Sequence, residues 1–414
     1  MVEIFFNSIL YIFLFFSLYL EVFFLITFFE EVETIKAEKN RSKKISYYPS
    51  TTIIVPCWNE EKTVSGTVES LLALDYPKDK LNIIIVDDGS TDHTWQVIQK
   101  FRTNPQVSLI KKENGGKHTA VNLGIQESTA ELVGCLDADS FVERDALLEI
   151  AHAFNEDPVM MAATPMLVVH EPKTIFQKMQ RTEYHASAFL KRILSPLDAI
   201  YVTPGPFSIF RRTVFDKIGL YKKAHNTEDM EFALRMQKHH LRIRNVYTAH
   251  VHTSTPNTFY KLYRQRLRWA YGSIKNTLDY RFMIFKREYG ILGTIALPLS
   301  LFGIFVLLYN FGFVMFHAGR TIFTKITEIS IMGVASLVPH FNTFYLNTDF
   351  MVLIAYVLLG IGLFIVWNGA KLAEGRFRPT MGIFYFFALY GIVAPLWFAR
   401  AIINVVFSRT TSWR

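Results

Sequence analysis

Four clusters of polar and aromatic residues between positions 87 and 269 have side chains suited to handling phosphate and protons. Carboxylates accept hydrogen bonds, bind divalent cations or remove protons, and arginine pairs with phosphate oxygens. In chain order the clusters are Asp87-Asp88-Gly89-Ser90, Asp137-Ala138-Asp139, Thr227-Glu228-Asp229 and Gln265-Arg266-Leu267-Arg268-Trp269. Together they predict a nucleotide-binding rim, metal ligands, a general base and a clamp for a diphosphate.

Asp87 and Asp88 follow an apolar run, Leu81 to Val86, that predicts a buried strand. A carboxylate at such a strand end can accept a hydrogen bond from a base edge or a ribose hydroxyl. The alternative is structural, because polar residues of the following turn are also good helix caps. Glu60 follows the first predicted strand and adds a second acidic group to the same rim.

Asp137 and Asp139 come directly after another apolar run and are two residues apart. In an extended segment both side chains face the same side, so both carboxylates can reach one cation. Mg²⁺ or Mn²⁺ takes oxygen ligands and can neutralise the charge of a departing nucleoside diphosphate. An Asp-x-Asp pair alone is a weak motif, but its position after a strand and downstream of Asp87 strengthens it.

Lys117 follows two glycines and precedes a predicted helix, so it can meet a phosphate or hold an aspartate. A plain turn with a surface lysine is the alternative. The spacing of a P-loop is missing, which disfavours ATP hydrolysis.

Asp229, with Glu228 beside it, is the predicted general base that removes a proton from an acceptor hydroxyl. The alternative is that Thr227 caps the helix predicted from Met230 to Lys238, with acidic residues in its first turn.

Gln265, Arg268 and Trp269 are spaced i, i+3 and i+4 and therefore share one helical face. Arg268 can pair with diphosphate oxygens, and Trp269 offers a flat apolar surface on which a sugar ring can rest. The alternative is an interfacial helix with an ordinary arginine and an anchoring tryptophan.

The elements that must position these residues begin at Thr51, where apolar runs alternate with amphipathic ones. Alternation of this kind predicts a parallel sheet covered by helices on both faces, with ligands at the carboxyl ends of the strands. The predicted strands are Thr51 to Cys57, Leu81 to Val86, Val107 to Lys111 and Glu131 to Leu136. The predicted helices are Glu61 to Leu72, Thr91 to Phe101, Lys117 to Glu127 and Asp145 to Phe154.

Long apolar segments flank this region, half of the residues are hydrophobic and the mean hydropathy is positive, which favours a membrane protein. The predicted spans are Ile4 to Phe29, Ile291 to Phe316, Phe350 to Val366 and Met381 to Phe407. Basic residues between Lys36 and Lys44 predict a cytoplasmic end there and an N-terminus outside. A short or re-entrant helix at 329–346, and either one helix or two pieces around Pro395, remain open.

The net charge is +8, and the basic residues lie beside apolar segments rather than in a nucleic-acid motif. This pattern indicates contact with anionic membrane lipid, and no nucleic-acid partner is expected. Cys57 and Cys135 fall in predicted strands and have neither metal nor disulfide spacing, so we expect buried thiols and a reducing compartment.

The segments PCWNEE, DDGSTD, NGGKHTAVNLGI, CLDADS, TED and QRLRW, within about Tyr48 to Asp279, give this chain a specific resemblance. It resembles the membrane-embedded family-2 inverting glycosyltransferases, which include poly-N-acetylglucosamine, chitin, hyaluronan and cellulose synthases. The resemblance implies an α/β catalytic domain of the GT-A type, with a Rossmann-like mixed sheet and transmembrane helices at both ends. The chain then divides into an N-terminal transmembrane helix (1–30), a cytosolic domain (48–255), amphipathic interfacial helices (256–290), a transmembrane region (291–407) and a Trp-bearing tail (408–414).

Carried over to this sequence, the resemblance implies Asp87 and Asp88 at the uridine and Lys117 near the nucleotide. It implies metal binding by Asp139, with Asp137 at the ribose or the metal. Asp229 is implied as the base.

On the acceptor side, the resemblance implies that Gln265, Arg268 and Trp269 contact diphosphate and acceptor. The segment from Gly205 to Phe207, followed by Arg211 and Arg212, resembles the acceptor side of these enzymes, although Pro206 departs from the small residue expected there. Trp413 lies in a tail that resembles a gating motif. His252 is an alternative metal ligand, whereas a solvated or core histidine is the structural interpretation.

These observations predict a multi-pass cell-membrane hexosyltransferase with a cytoplasmic catalytic domain. It would use a UDP-sugar, with N-acetylglucosamine as the favoured sugar, and Mg²⁺ or Mn²⁺ to extend a β-linked polysaccharide. One alternative is a non-processive enzyme that glycosylates a membrane lipid. Another is a catalytically silent sugar-nucleotide-binding or glycan-export component. An accessory or export subunit is a possible partner. A dinucleotide-dependent dehydrogenase is disfavoured, because no G-x-G-x-x-G follows the first strand.

Overall fold

The structure is a computed structural model that describes residues 2–40, 45–333 and 350–408. Its centre is an eight-stranded sheet in the order β3-β2-β1-β4-β7-β6-β8-β5. The strands are β1 (Thr51–Cys57), β2 (Leu81–Asp88), β3 (Val107–Lys112), β4 (Leu132–Cys135), β5 (Ser140–Val142), β6 (Met160–Val169), β7 (Ser208–Arg211) and β8 (Arg242–Thr253). The helices before the last membrane region are α1 (Val2–Asn40), α2 (Val64–Leu72), α3 (Thr94–Ile98), α4 (Lys117–Glu127), α5 (Ala146–Glu156), α6 (Ile175–Leu194), α7 (Thr213–Ile218), α8 (Glu228–Lys238) and α9 (Phe259–Asp279). Three long helices follow: α10 (Leu297–Met332), α11 (Phe350–Glu374) and α12 (Met381–Val406).

The first half of the sheet is parallel, as the sequence predicts. Strand β1 pairs with β2 from Thr51 opposite Leu81 to Cys57 opposite Asp87, and β4 pairs with the other edge of β1. All four strands predicted from apolar runs are present to within two residues. The carboxyl ends of β1, β2 and β4 therefore lie at one edge of the sheet, and the acidic clusters follow them.

The second half of the sheet corrects the expectation of a purely parallel arrangement. Strand β7 is antiparallel to β4 and to β6, whereas β8 is parallel to β6 and β5 is antiparallel to β8. The chain crosses the sheet repeatedly between residues 140 and 253, which brings strands of both directions together. The sheet is therefore mixed, in agreement with the fold that the resemblance implies.

Two apolar layers cover the two faces of the sheet. Alternate β1 residues point to opposite sides, so that Ile53 packs with α2 and α5 while Ile54 packs with α4 and α8. Both side chains are fully buried. The prediction of a sheet covered on both faces is confirmed.

Two helices begin later than their sequence patterns predict. Helix α2 begins at Val64 because the carbonyl of Glu60 first accepts the amides of Thr63 and Val64 in a turn. Helix α3 begins at Thr94, whose backbone N–H donates to Asp92 Oδ1 at 2.9 Å. These turns hold the polar rim next to the strand ends.

Four helices are long and apolar enough to cross a membrane: Ser8–Glu38, Leu292–Ile331, Val352–Glu374 and Met381–Val406. They confirm the predicted spans at both ends of the chain, and the catalytic domain lies between them. Residues 329–331 belong to the second span rather than to a separate helix, α10 ends at Met332, and 334–346 lie outside the described residues. Helix α12 continues through Pro395 as one helix.

Candidate active site

A cavity of about 1200 Å³ lies at the carboxyl ends of β1, β2 and β4, and is closed by α6, α8 and α9. It brings together most of the side chains that the sequence singles out. Of those residues, its lining includes Glu60, Asp88, Lys117, Asp137, Asp139, Gly205, Glu228, Asp229, Gln265, Arg268 and Trp269. Asp87 and His252 do not line it, and Trp413 lies outside the described residues.

Asp88 is buried at the end of β2 and organises the glycine turn before α4. Its two carboxylate oxygens accept the backbone N–H groups of Gly115 at 3.0 Å and Gly116 at 2.9 Å. The Lys112 ammonium lies 2.6 Å from the same carboxylate. Asp88 therefore fixes the turn that presents Lys117 at the start of α4.

Asp87 is fully buried behind this rim. One carboxylate oxygen accepts the Ser90 N–H at 3.1 Å, and the other has no hydrogen-bond partner. Since an unpaired buried carboxylate oxygen is costly, Asp87 has capacity for one more donor at the strand end.

Lys117 and Asp137 form a close ion pair across the cavity, 2.5 Å between Nζ and Oδ1. Burial works against the charged ammonium, but the Asp137 carboxylate outweighs it and raises the pKa of Lys117. Gly205 lies directly against this pair. A Cβ there would lie 2.5 Å from Lys117 Nζ and 3.0 Å from both Asp137 oxygens, so a side chain at this position would force the lysine to shift.

Asp139 lies beside this pair in an acidic environment. Burial, followed by the charges of Asp137 and Glu60, raises the pKa of Asp139. Such an excess of negative charge fits a divalent cation, and carboxylate oxygens are the ligands that Mg²⁺ and Mn²⁺ prefer. Within the described residues no group of three or more His, Cys, Asp or Glu side chains could hold a metal by itself. The two aspartates therefore fit a cation that takes further ligands from diphosphate oxygens and water.

His252 is not brought to these aspartates. His252 lies near the end of β8, and its Nε2 is 3.0 Å from Glu143 Oε1. Arg211 and Arg212 likewise do not line the cavity, because they donate to backbone carbonyls of Met160 and Ser128.

Asp229 is half-buried in the first turn of α8, with its side chain at the cavity wall. Burial and the neighbouring Glu228 raise the pKa of Asp229, while Lys117 and Arg268 oppose that shift. The backbone N–H and hydroxyl of Thr203 both donate to the Asp229 carbonyl, the hydroxyl at 3.0 Å. The carboxyl group is thus held on a fixed backbone and surrounded by charges of both signs.

The structural alternative for Thr227 holds for its position only: Thr227 is the N-cap residue of α8, and acidic residues occupy the first turn. The helix begins at Glu228 rather than at Met230, and the Thr227 hydroxyl makes no cap hydrogen bond. Instead, the Asn276 amide donates to Thr227 Oγ1 at 2.8 Å and to its carbonyl at 3.1 Å. Thr227 therefore joins the start of α8, the helix that carries Asp229, to α9.

Helix α9 presents Gln265, Arg268 and Trp269 to the cavity, in keeping with their shared helical face. The Gln265 side-chain oxygen is buried with no partner, so it can accept a hydrogen bond from a bound molecule. Arg268 is close enough to Asp229 to influence its charge.

The sequence predictions missed one wall of the cavity, which is formed by α6. Glu183, Ser187 and Lys191 are spaced four residues apart, so they share one face of α6 and line the cavity together with Tyr184. That spacing of polar residues was the available signal. Burial lowers the pKa of Lys191 to about 8, and the Asp229 charge opposes the shift.

Comparison with known proteins agrees with this fold. The model of the family "Glycosyl transferase family 2" matches residues 52–219. Poly-beta-1,6-N-acetyl-D-glucosamine synthase of Staphylococcus aureus (strain COL) is 30% identical over 270 residues, and the match covers 65% of each chain. The same enzyme from Staphylococcus epidermidis is 31% identical over 246 residues, covering 59% of this chain and 58% of the relative. These matches therefore span less than two thirds of the relatives' own length.

The fold is also similar to that of a solved mannosyltransferase from Pyrobaculum calidifontis in complex with GDP-Man and Mn²⁺. That likeness has a TM-score of 0.55 at 18% identity and covers 85% of this chain and 98% of the mannosyltransferase. It confirms the GT-A-type arrangement of the mixed sheet. The region that matches the glycosyl transferase family 2 model, residues 52–219, lies in the chain between the candidate membrane-spanning helices.

Proposed function

We propose that this protein is a membrane-bound inverting glycosyltransferase that transfers N-acetylglucosamine from UDP-N-acetylglucosamine to a growing β-linked polysaccharide. The observation that carries the proposal is one cavity that holds paired aspartates, a lysine, a half-buried carboxyl group and an arginine-tryptophan face. The similarity to two staphylococcal poly-N-acetylglucosamine synthases supports the choice of sugar and of a polymer product.

On the donor side, Asp88 and Glu60 form the rim for uridine and ribose, and Asp87 is buried directly behind it. Asp88 holds the glycine turn in place, and the unpaired oxygen of Asp87 lies at the end of the same strand. Lys117 gives this rim a positive charge for the diphosphate, and its pairing with Asp137 keeps that charge in place.

Asp139 and Asp137 would hold Mg²⁺ or Mn²⁺, which would supply positive charge to neutralise the diphosphate leaving group. Mn²⁺ accompanies GDP-Man in the mannosyltransferase of similar fold, which supports this choice. Arg268 adds a guanidinium on the opposite wall, where it can pair with phosphate oxygens.

Asp229 acts as the general base. It accepts the proton of the acceptor hydroxyl while that oxygen attacks the anomeric carbon from the side opposite the diphosphate, which inverts the configuration. Glu228 acts through its charge, because it raises the proton affinity of Asp229. Trp269 and Gln265 bind the acceptor, the first by stacking and the second through its free carbonyl oxygen.

The catalytic domain is proposed to face the cytoplasm, where UDP-sugars are the donors, because basic residues between Lys36 and Lys44 follow the first span. A glycan acceptor next to the spans, contact with membrane lipid, and an accessory or export subunit complete the set of proposed partners.

The test is sugar transfer by purified full-length protein in lipid nanodiscs, offered a panel of UDP-sugars with Mg²⁺ or Mn²⁺. We expect UDP release and a polymer detectable by mass analysis with UDP-N-acetylglucosamine. Asp139→Asn and Asp229→Asn should each lower turnover by at least about a hundredfold while the protein keeps its thermal stability. Release of no UDP from any donor would overturn the proposal, and one or two sugars on a lipid would favour the glycolipid enzyme.

A further inference from the structure

A buried ion pair lies against Trp269, and its two members, Arg266 and Glu183, line the same cavity. The Arg266 guanidinium lies 4.5 Å from the centre of the Trp269 ring. It also donates to Glu183 Oε2 on α6 at 2.8 Å. Arg266 is only 8% exposed, so the guanidinium is held between the ring and the carboxylate.

The same carboxylate reaches a membrane-spanning helix. The Tyr390 hydroxyl of α12 donates to Glu183 Oε1 at 3.1 Å. The Tyr390 ring packs edge-on against Trp397, which is fully buried, at 5.8 Å between centroids. One continuous set of contacts, Trp269 to Arg266 to Glu183 to Tyr390, therefore joins α9, α6 and α12.

A buried ion pair adds little net stability, because desolvating both charges offsets most of their attraction. The pair instead fixes the orientation of its partners, because a planar guanidinium stacks on an aromatic ring and pairs with a carboxylate in fixed directions. A ring on which a sugar rests must keep its orientation to within about 10–20°. The pair supplies that constraint, because the Arg266 guanidinium lies over the Trp269 ring and is held there by Glu183.

We infer that Arg266, Glu183 and Tyr390 are positioning residues that hold Trp269 as the acceptor-stacking surface and fix its place relative to helix α12. The inference rests on the proposed function, because it assigns these residues to acceptor binding by the same site. It makes acceptor binding depend on a membrane helix, while the donor rim on β1, β2 and β4 stays independent of that helix.

The test compares two hydroxyl deletions on α12 in full-length protein in nanodiscs. Tyr390→Phe removes only the hydrogen bond to Glu183 and keeps the ring packing. Tyr385→Phe, on the same helix, is the matched control. The assay uses UDP-N-acetylglucosamine with a β-linked N-acetylglucosamine oligosaccharide, and measures KM for each substrate, donor hydrolysis without acceptor, and product length.

We expect Tyr390→Phe to raise the acceptor KM about three- to tenfold, the range for one lost hydrogen bond, and to shorten the product. Donor KM and donor hydrolysis should stay within about twofold of wild type, and Tyr385→Phe should change nothing. Arg266→Lys keeps a charge for Glu183 but loses the planar stack, so we expect it to raise the acceptor KM as well.

A parallel rise of donor and acceptor KM, or equal behaviour of the two tyrosine variants, overturns the positioning role. The failure of the proposed function itself is distinct, because wild type would then transfer no sugar in the same assay.

Discussion

At the scale of single residues, the charges around Asp229 decide when it can accept a proton. Glu228 on its own helix raises the pKa of Asp229, and three cations face it from other elements: Lys117 on α4, Lys191 on α6 and Arg268 on α9. Burial and Glu228 outweigh the cations, so the pKa rises from its ordinary value to about 6.

A base must be ionised, so we expect kcat to fall as pH decreases through about 6. Lys191 keeps its proton throughout that range, because its pKa is about 8. Replacing it by methionine removes a positive charge that favours ionised Asp229, and should move the acid limb of the kcat profile to higher pH. Lys191→Arg keeps the charge and is the control. An acid limb at the same pH in all three proteins would contradict this electrostatic role.

Gly205 provides a second residue-scale prediction, because a methyl group there would displace the Lys117–Asp137 pair. We expect Gly205→Ala to lower kcat/KM for the donor about ten- to a hundredfold, the range for a misplacement of about 1 Å at a reacting centre. Gly303→Ala on α10 meets no atom within 4 Å and is the control. Unchanged donor kinetics in Gly205→Ala would show that the pair can shift without cost.

At the scale of elements, α6 joins the catalytic domain to the membrane helices. Arg192 pairs with Glu31 and Glu38 of α1, each at 2.9 Å. At the end of α11, Glu374 accepts from Arg181 Nε at 2.7 Å and lies 2.7 Å from His185 Nε2. Because these contacts converge on the helix that carries Lys191, the cavity wall and the membrane helices form one packed unit.

We therefore expect Glu374→Gln to destabilise the protein, since it leaves Arg181 without its counter-charge at a site where both side chains are less than a quarter exposed. Breaking a buried pair costs about 3–5 kcal/mol, and partial exposure here reduces that to about 2–3 kcal/mol. Glu328→Gln breaks the exposed pair with Lys325 on α10 and should cost at most about 1 kcal/mol. Thermal unfolding in detergent measures both, and equal losses would argue against the special role of α6.

The elements also show how far sequence could predict this structure. Strand β1 was predictable because it is short, mostly buried and centred on the apolar run Ile53 to Val55, and the face of α9 was predictable because its three residues follow helical spacing. Helix α6 was not predicted, since the partners of Arg192 and Arg181 lie more than 150 residues away in sequence. The antiparallel strand β7 was missed for a related reason, because strand direction depends on the path of the whole chain and not on the strand's own residues.

At the scale of the whole molecule, contacts show which end of three membrane helices lies next to the catalytic domain. Glu38 of α1 and Glu374 of α11 both pair with α6, and Leu297 at the start of α10 packs with Met230 of α8. Helix α10 then runs for 36 residues, or about 54 Å, which exceeds the roughly 30 Å of a bilayer core. We therefore expect its far end, where Ile331 is exposed, to lie on the opposite side of the membrane from the catalytic domain.

Labelling of single introduced cysteines in membrane vesicles tests this arrangement. The native Cys57 and Cys135 are only 1% and 6% exposed, so an impermeant maleimide should leave both unlabelled. We expect Arg376→Cys, just after α11, to be labelled from the same side as Lys222→Cys, an exposed position in the catalytic domain. Ile331→Cys should be labelled only from the opposite side. Labelling of residues 331 and 376 from one side would mean that α10 does not cross the bilayer, and the packing of Leu297 with Met230 would then have to hold a helix lying along the membrane surface.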